Sequence, residues 1–507
     1  MDFYSYHIFY FPFKWEVPGE EKKLFSEQVD LDHIAISPCS MWERVQIDNE
    51  RKIFSQTQEQ EELFGEQQYY FDFVHPVLYD IKGVDDSIIH HYERREPKER
   101  VVEYCIETKQ KTYILRLDAL NVNLYSTGVG IMSFYLVNEK EDQKDESSVR
   151  DINQFGRRIM PPHCGEFNAD CRGLLAKSIR IVGLDGEDRY SDKFDYIKEH
   201  GNPLYRGFES VWEPASFIKH LVEDLSPTLR VVPVIDDRML VNCWYGNDEL
   251  SAKVKETDSN DHVPFVNSDF WYKYLFVDSG NDSDDVTCQN SRMKEKLLSD
   301  STYYRWQQFG TLYGVSRYSF VALTKLGAGG FISMHMRTIY SRMFELVIVQ
   351  RASMLRFSGE VTKVSALKGK RTKEVSEKAS SLYKEYIRFV NQIYFRTVTA
   401  QDQGIELYEL MLKQFDSDIQ IKDLDEEISE LHQYVTLKID QRRSENGDFL
   451  NWLAALVLPA TLFSGLFGMN PVFGSSALTL HDWGIQLAII IVASVVLVCF
   501  LLNRKRR

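Results

Sequence analysis

The sequence predicts an α+β cytoplasmic domain followed by a helical hairpin, a long stalk helix and two transmembrane helices. Three observations predict it. Residues 1 to about 300 alternate short β-rich apolar runs with polar loops. From Met334 onward the apolar residues recur at helical spacing instead. Two stretches, Phe449 to Phe467 and Gly484 to Leu502, are nineteen residues each, with Asn451, Thr461 and Ser464 the polar positions of the first and Gln486 and Ser494 those of the second. Each is long enough to cross a hydrocarbon layer of roughly 30 Å as a helix.

Composition narrows the function classes. A formal net charge of -15 argues against a nucleic-acid scaffold, whose phosphate-binding surface normally carries a basic excess. The seven cysteines include no CxxC pair, and a cytoplasmic setting keeps thiols reduced. His163, Cys164 and Cys171 could form half a zinc site, but no second pair stands at finger or ribbon spacing.

The first 330 residues read as a mixed α/β, ligand-sensing domain. Tyr4 to Phe13 is an aromatic-rich strand, and Tyr69 to Val77 is a second such run interrupted by Pro76. Val101 to Thr108, Thr112 to Tyr125 and Val129 to Val137 are separated by short polar turns and read as an antiparallel meander. Further strands are expected at Ser178 to Val182, Arg230 to Ile235, Met239 to Tyr245 and Tyr272 to Val277, with a helix over Ala215 to Asp224. Glu139 to Ser148 and Asp278 to Asp285 are acidic, solvated loops. An EF-hand at the second fails, because Gln289 stands where the bidentate Glu is needed.

Residues 331–403 read as a helical hairpin, Met336 to Ser365 and Glu374 to Val398, joined by the basic stretch Lys368 to Lys373. Residues 404–448 form the stalk. After Gly404 no Gly or Pro appears until Gly447, and Ile421, Leu424, Ile428, Leu431 and Val435 recur at alternating three and four residues, as in a coiled-coil seam. The stalk feeds the first span, 449–467, which leads into the loop 468–483, the second span 484–502 and the basic tail 503–507. The loop carries one acid, Asp482, and no Lys or Arg, whereas Arg442, Arg443 and the terminal Arg504, Lys505, Arg506 and Arg507 flank the spans. By the positive-inside rule both termini are cytoplasmic, in a multi-pass protein of the inner (plasma) membrane.

The stretch Leu458 to Pro471, reading LPATLFSGLFGMNP, resembles the CorA family of divalent-cation channels. That resemblance implies a funnel-shaped homopentamer in the lipid bilayer that passes Mg²⁺ or a similar divalent cation. Gly468, Met469 and Asn470 would be the selectivity filter, with Asn470 meeting the metal ion. A hydrated Mg²⁺ suits such a ring, since it gives up its water reluctantly. Thr461, Leu458, Ala454 and Leu450 fall on one helical stripe and would line the pore, and Pro459 would kink the span. Where many members carry acidic residues, the loop 471–483 has only Asp482.

The segments Tyr113 to Tyr125 and Ser126 to Gly130 are similar to the CRISPR-associated CorA-like effectors. In that group the resemblance implies activation by a nucleotide messenger made from ATP and S-adenosylmethionine. Arg337, Arg342, Arg351 and Arg356, near Tyr340 and Phe344, are candidate donors for its phosphate. The alternative is an ordinary Mg²⁺ transporter regulated by intracellular Mg²⁺. Enzyme activity is not expected: there is no nucleophile elbow, kinase signature or paired metal motif, and Gly327-Ala328-Gly329-Gly330 lacks the Lys-Ser or Lys-Thr of a phosphate loop.

Overall fold

The strand Ser5–Glu16 (β1) is buried at every position from Ser5 to Phe13, and it runs through the middle of a large sheet. Burial on both faces explains why it reads as a continuous aromatic run rather than an alternation. The structure is a computed structural model and describes residues 3–17, 24–47, 65–157, 176–193, 214–278, 285–366 and 372–468, apart from 39, 85, 98, 186, 237, 260, 261, 328 and 329, together with Val492. The chain divides into two units, 1–366 with 380–429 and 367–379 with 430–507.

The first unit is built on a mixed sheet of thirteen strands. After β1 come Trp42–Arg44 (β2), Ile89–Arg94 (β3), Glu103–Glu107 (β4), Thr112–Tyr125 (β5), Val129–Asn138 (β6), Ser178–Val182 (β7), Ser191–Lys193 (β8), Arg230–Pro233 (β9), Leu240–Gly246 (β10), Thr302–Tyr303 (β11), Leu312–Val315 (β12) and Ser319–Thr324 (β13). The order is β11-β12-β13-β10-β1-β6-β5-β4-β7-β8, and β3 also pairs with β5, β2 with β3 and β9 with β1. Only β10 and β13 run parallel among the described pairs. The expected meander is present as antiparallel β4, β5 and β6. Between Leu117 and Ala119 the register of β5 against β6 shifts. On its other edge β5 pairs with β4 before that bulge and with β3 after it.

Among the described residues the longer helices are Glu146–Gly156 (α1), Ser216–Leu225 (α2), Asp248–Val254 (α3), Asp269–Phe276 (α4), Ser291–Ser301 (α5), Gly330–Arg337 (α6), Ile339–Ser365 (α7), Thr372–Gln392 (α8), Asp402–Gln414 (α9) and Ser417–Gly468 (α10). Helix α7 lies on the sheet. Its Ser341 carbonyl accepts from the Tyr10 hydroxyl at 3.2 Å, and its Ser353 hydroxyl meets that of Thr127 at 2.8 Å. Met343, Phe344, Leu346, Val347, Ile348 and Val349 are all buried along it, each contributing about 1.5–3 kcal/mol of apolar burial.

Helix α7 also takes polar groups into the core. The Glu345 carboxylate accepts from Asn123 and from the Tyr125 hydroxyl, and burial pushes its pKa up. Arg356 is buried and donates to the carbonyl oxygens of Trp15, at 2.9 Å, and Gly128. Gly128 stands at φ +73°, where a Cβ would sit 2.4 Å from Val29 Cγ1 and 2.5 Å from Arg356 Cζ. Both the backbone angle and the lack of space therefore require glycine.

The structure corrects several expectations. The fold class is not the two-span funnel. The first unit is organised by a thirteen-stranded mixed sheet, and among the described residues no helix is long and apolar enough to cross a membrane. The expected membrane-channel character and multi-pass inner-membrane location are overturned by the same finding. The physical reason lies in where apolar side chains go. They fill strands and the sheet-facing sides of helices, while the long α10 is charged over much of its first thirty residues, with Asp423, Asp425, Glu426, Glu427, Glu430, Arg442 and Arg443. Gly468 ends α10. Met469 and Asn470, the rest of the loop 468–483 and the stretch 484–502 apart from Val492 lie outside the described residues, as do His163, Cys164 and Cys171.

Two strand expectations also change. Tyr272 to Val277 belongs to helix α4, because the Ser268 hydroxyl caps it by accepting from the Trp271 N–H at 3.1 Å, and a good cap outweighs aromatic β preference. Around Pro76 the chain makes short helical turns, Asp72–Val74 and His75–Leu78, with proline tolerated in the first turn. Gly404 does not break the chain but sits inside α9, where a Cβ would meet Tyr69 Oη at 2.5 Å. The break comes at Phe415 and Asp416, and Asp416 takes φ 52°. Beyond it Ile421, Leu424, Ile428 and Val435 of the heptad-like seam are buried, and Leu431 is partly exposed.

His7 on β1 is buried and donates from Nδ1 to Asn153 Oδ1 at 2.7 Å, which leaves Nε2 to accept from the Ser5 hydroxyl at 2.8 Å. Burial disfavours the imidazolium and pushes its pKa down to about 4 from 6.5. A depressed folded pKa means that the unfolded chain takes up the proton first, so stability is complete above pH 6.5 and is lost as the pH falls toward 4. Chemical denaturation across that window should lose about 3 kcal/mol through His7, and His7→Gln should remove this share of the slope. Gly128→Ala should lower the unfolding free energy by about 3 kcal/mol at neutral pH, read from the urea midpoint.

Candidate functional site

At one end of the sheet, in the first unit, four arginines gather around Tyr318. Arg157 follows α1 and lies on the floor, 2% exposed, where its Nη2 donates to the Val277 carbonyl at 3.2 Å and to Gln154 Oε1 at 3.4 Å. Arg238 comes from the loop between β9 and β10, paired with Asp236, and its guanidinium carbon stands 4.4 Å from the Tyr318 ring centroid; that of Arg157 is 5.9 Å from the same ring. Arg317 and Tyr318 form the turn between β12 and β13, a turn tightened by the Ser316 and Ser319 hydroxyls 2.7 Å apart. Arg351 enters from the middle of α7.

The loops converge for backbone reasons. The Met239 N–H donates to the Arg157 carbonyl at 2.7 Å, and the Val241 N–H to the Tyr318 carbonyl at 2.8 Å. These bonds tie the end of α1 and the β12–β13 turn to the entry of β10. The cluster is thus built on element ends, held by the scaffold behind them.

Arg351 is the unusual member. Its guanidinium lies 5.4 Å from the Phe415 ring centroid, and its buried Nε and Nη1 find no hydrogen-bond acceptor among the described residues. Burial pushes its pKa down, and Arg317 pushes the same way, against Tyr318, Asp236 and Asp416. A buried charged donor left unfilled costs on the order of 1–3 kcal/mol or more. Among the described residues Asp236 pairs with Arg238 and Asp416 with Arg317. Exposure rises from Arg157 outward to Arg317 and Asp416, whose side chains are 56% and 41% exposed. An oxyanion could enter from that rim and fill the vacant donors of Arg351.

The four arginines expected from the sequence do not form one site. Arg337 lies 4.0 Å from Asp118 and 5.9 Å from the Tyr6 ring. Arg342 pairs with Glu66, donates to the Leu78 carbonyl at 3.2 Å and stacks 4.8 Å from the Tyr79 ring. Arg356 is taken up by the Trp15 and Gly128 carbonyls in the core. On a helix advancing about 100° per residue, nine positions carry Arg351 about 180° away from Arg342, so the two cannot share a face. Sequence reasoning missed Arg157, Arg238, Arg317 and Tyr318, because they are far apart in the chain and no spacing rule connects them.

The expected pore residues fall on α10, which continues as helix through Pro459. The Thr461 hydroxyl donates to the Leu458 carbonyl at 2.9 Å. Phe449, Leu450, Trp452, Leu453, Val457 and Leu458 are all exposed there. Among the described residues no group of three or more His, Cys, Asp or Glu side chains could hold a metal ion.

Fold and site together define a mixed α/β unit with a cluster of four arginines around Tyr318 at one sheet end. No family model matches the chain. No curated protein matches it either.

Arg351→Met should weaken binding of tripolyphosphate about tenfold, worth about 1.4 kcal/mol, and leave the thermal midpoint unchanged or higher, since the charge it removes is unpaired. Titration calorimetry and a melting curve on the same preparation check both halves.

Proposed function

We propose that the chain is a ligand-controlled effector. A phosphate-bearing ligand of the nucleotide class is held by Arg157, Arg238, Arg317 and Arg351. Its arrival acts on α10, which begins beside that site. The observation that carries the reading is the Arg351 side chain, whose buried Nε and Nη1 find no acceptor among the described residues, set within a cluster of four arginines. An unfilled charge of that kind is retained at a cost, and a ligand oxyanion removes the cost.

Self-association is supported by the row of large apolar side chains exposed on α10 between Phe449 and Leu458, since contiguous apolar surface marks a contact for something else.

The test is titration calorimetry of the purified protein against a panel of nucleotides that includes an AMP conjugate of S-adenosylmethionine. Binding of a nucleotide that is lost in Arg351→Met is the expected result. Absence of binding by the wild-type protein to every nucleotide would overturn the reading.

A further inference from the structure

We infer that Asp416 is a displaceable latch: its carboxylate holds Arg317 while the pit is empty, and an incoming oxyanion takes its place and releases the turn that joins α9 to α10. This rests on the arginine cluster being an anion site. The residues involved all lie within the first unit.

The Asp416 turn serves two helices at once. Its N–H donates to the Lys413 carbonyl at 3.1 Å, while its own carbonyl accepts from Ile419 and Gln420 at 3.2 and 3.1 Å. The Gln420 side chain donates to the Phe415 carbonyl at 2.8 Å. One residue thus closes α9 and opens α10, and a change in its backbone angles is felt by both.

Asp416 takes φ 52°, a left-handed conformation that Asp and Asn tolerate better than other residues with a side chain but do not prefer. Next to it the buried Ser417 hydroxyl has no partner among the described residues. A relaxed helix start would normally use such a hydroxyl as a cap. Both features describe a turn held in place by something other than its own preference.

The Arg317–Asp416 ion pair is what holds it, and that pair is weak. Both side chains are substantially exposed, and exposed pairs contribute little to stability. The Phe415 ring is pinned on the other side, edge-on to Phe344 at 5.9 Å and 5.4 Å from the Arg351 guanidinium. An oxyanion drawn to the vacant Arg351 donors would sit in the same field as the Asp416 carboxylate. Like charges at that range repel by more than an exposed ion pair is worth. The carboxylate therefore leaves, Arg317 turns to the ligand, and the turn at 415–417 is free to relax.

The experiment uses the full-length protein, with tripolyphosphate as the probe and hydrogen exchange at the amides of 416–420 as the readout. Wild type should exchange about tenfold faster at these amides when the probe is bound. Asp416→Asn removes the charge but tolerates the same backbone angle. It should exchange fast without the probe and bind the probe about three- to tenfold tighter. Asp86 is a matched control, with φ 61° and a 2.8 Å ion pair to Arg388 remote in sequence from the cluster, so Asp86→Asn should change neither quantity.

Normal probe binding with unchanged exchange in wild type would overturn the latch and leave the anion site standing. So would Asp416→Asn that neither exchanges faster nor binds tighter. Failure of wild type to bind the probe at all would remove the anion site, and the latch with it.

Discussion

Everything in the first unit depends on how α7 is allowed to lie on the sheet, and that is decided by the charges it buries. An arginine cannot give up its proton, so Arg356 can be buried only where backbone carbonyls replace water. The carbonyls of Trp15 and Gly128 do this, and they lie at the end of β1 and in the β5–β6 turn. Three turns earlier Glu345 is met by Asn123 and Tyr125 of β5. Two polar anchors of opposite sign fix the helix in position and rotation, which apolar packing alone would leave looser. Apolar contacts supply most of the energy, and the anchors select one arrangement from many of similar burial.

Once α7 is fixed, the direction of each remaining arginine follows. Arg342 reaches Glu66, and Arg351, half a turn round from it, is carried to the end of the sheet where α1, the β9–β10 loop and the β12–β13 turn meet. The vacancy of the Arg351 donors is therefore no accident of a surface side chain. Its backbone is held by the two anchors on either side. Rigid support for buried donors without an acceptor is the arrangement expected of a binding group, and it contrasts with the more deeply buried Arg356, whose Nη1 is taken up by two carbonyls.

The likeness to a two-span channel rests on the C-terminal sequence, whose composition says nothing of the sheet that organises the first unit. Strand runs are legible where alternation or continuous apolar character is strong, as in β1 and in the β4–β5–β6 meander. They mislead where aromatic content suggests a strand but a local cap fixes a helix, as at Ser268 ahead of α4. The helices α7 and α8 are visible in periodicity. The break at Asp416 is not, because the sequence there contains neither glycine nor proline; Asp416 takes φ 52° and pairs with Arg317.

The sequence by itself determined the large apolar strands, the seam of Ile421, Leu424, Ile428 and Val435, and the absence of any familiar catalytic spacing, because these depend on neighbours within a few residues. It also contained Gly128, but not the reason for it, which is a guanidinium arriving from 228 residues away. Tertiary structure alone decided that Arg157, Arg238, Arg317 and Arg351 share one pit and that Arg337, Arg342 and Arg356 do not. Charge clusters of this kind are made by the meeting of loop ends from distant strands, and no periodicity along the chain encodes which ends will meet.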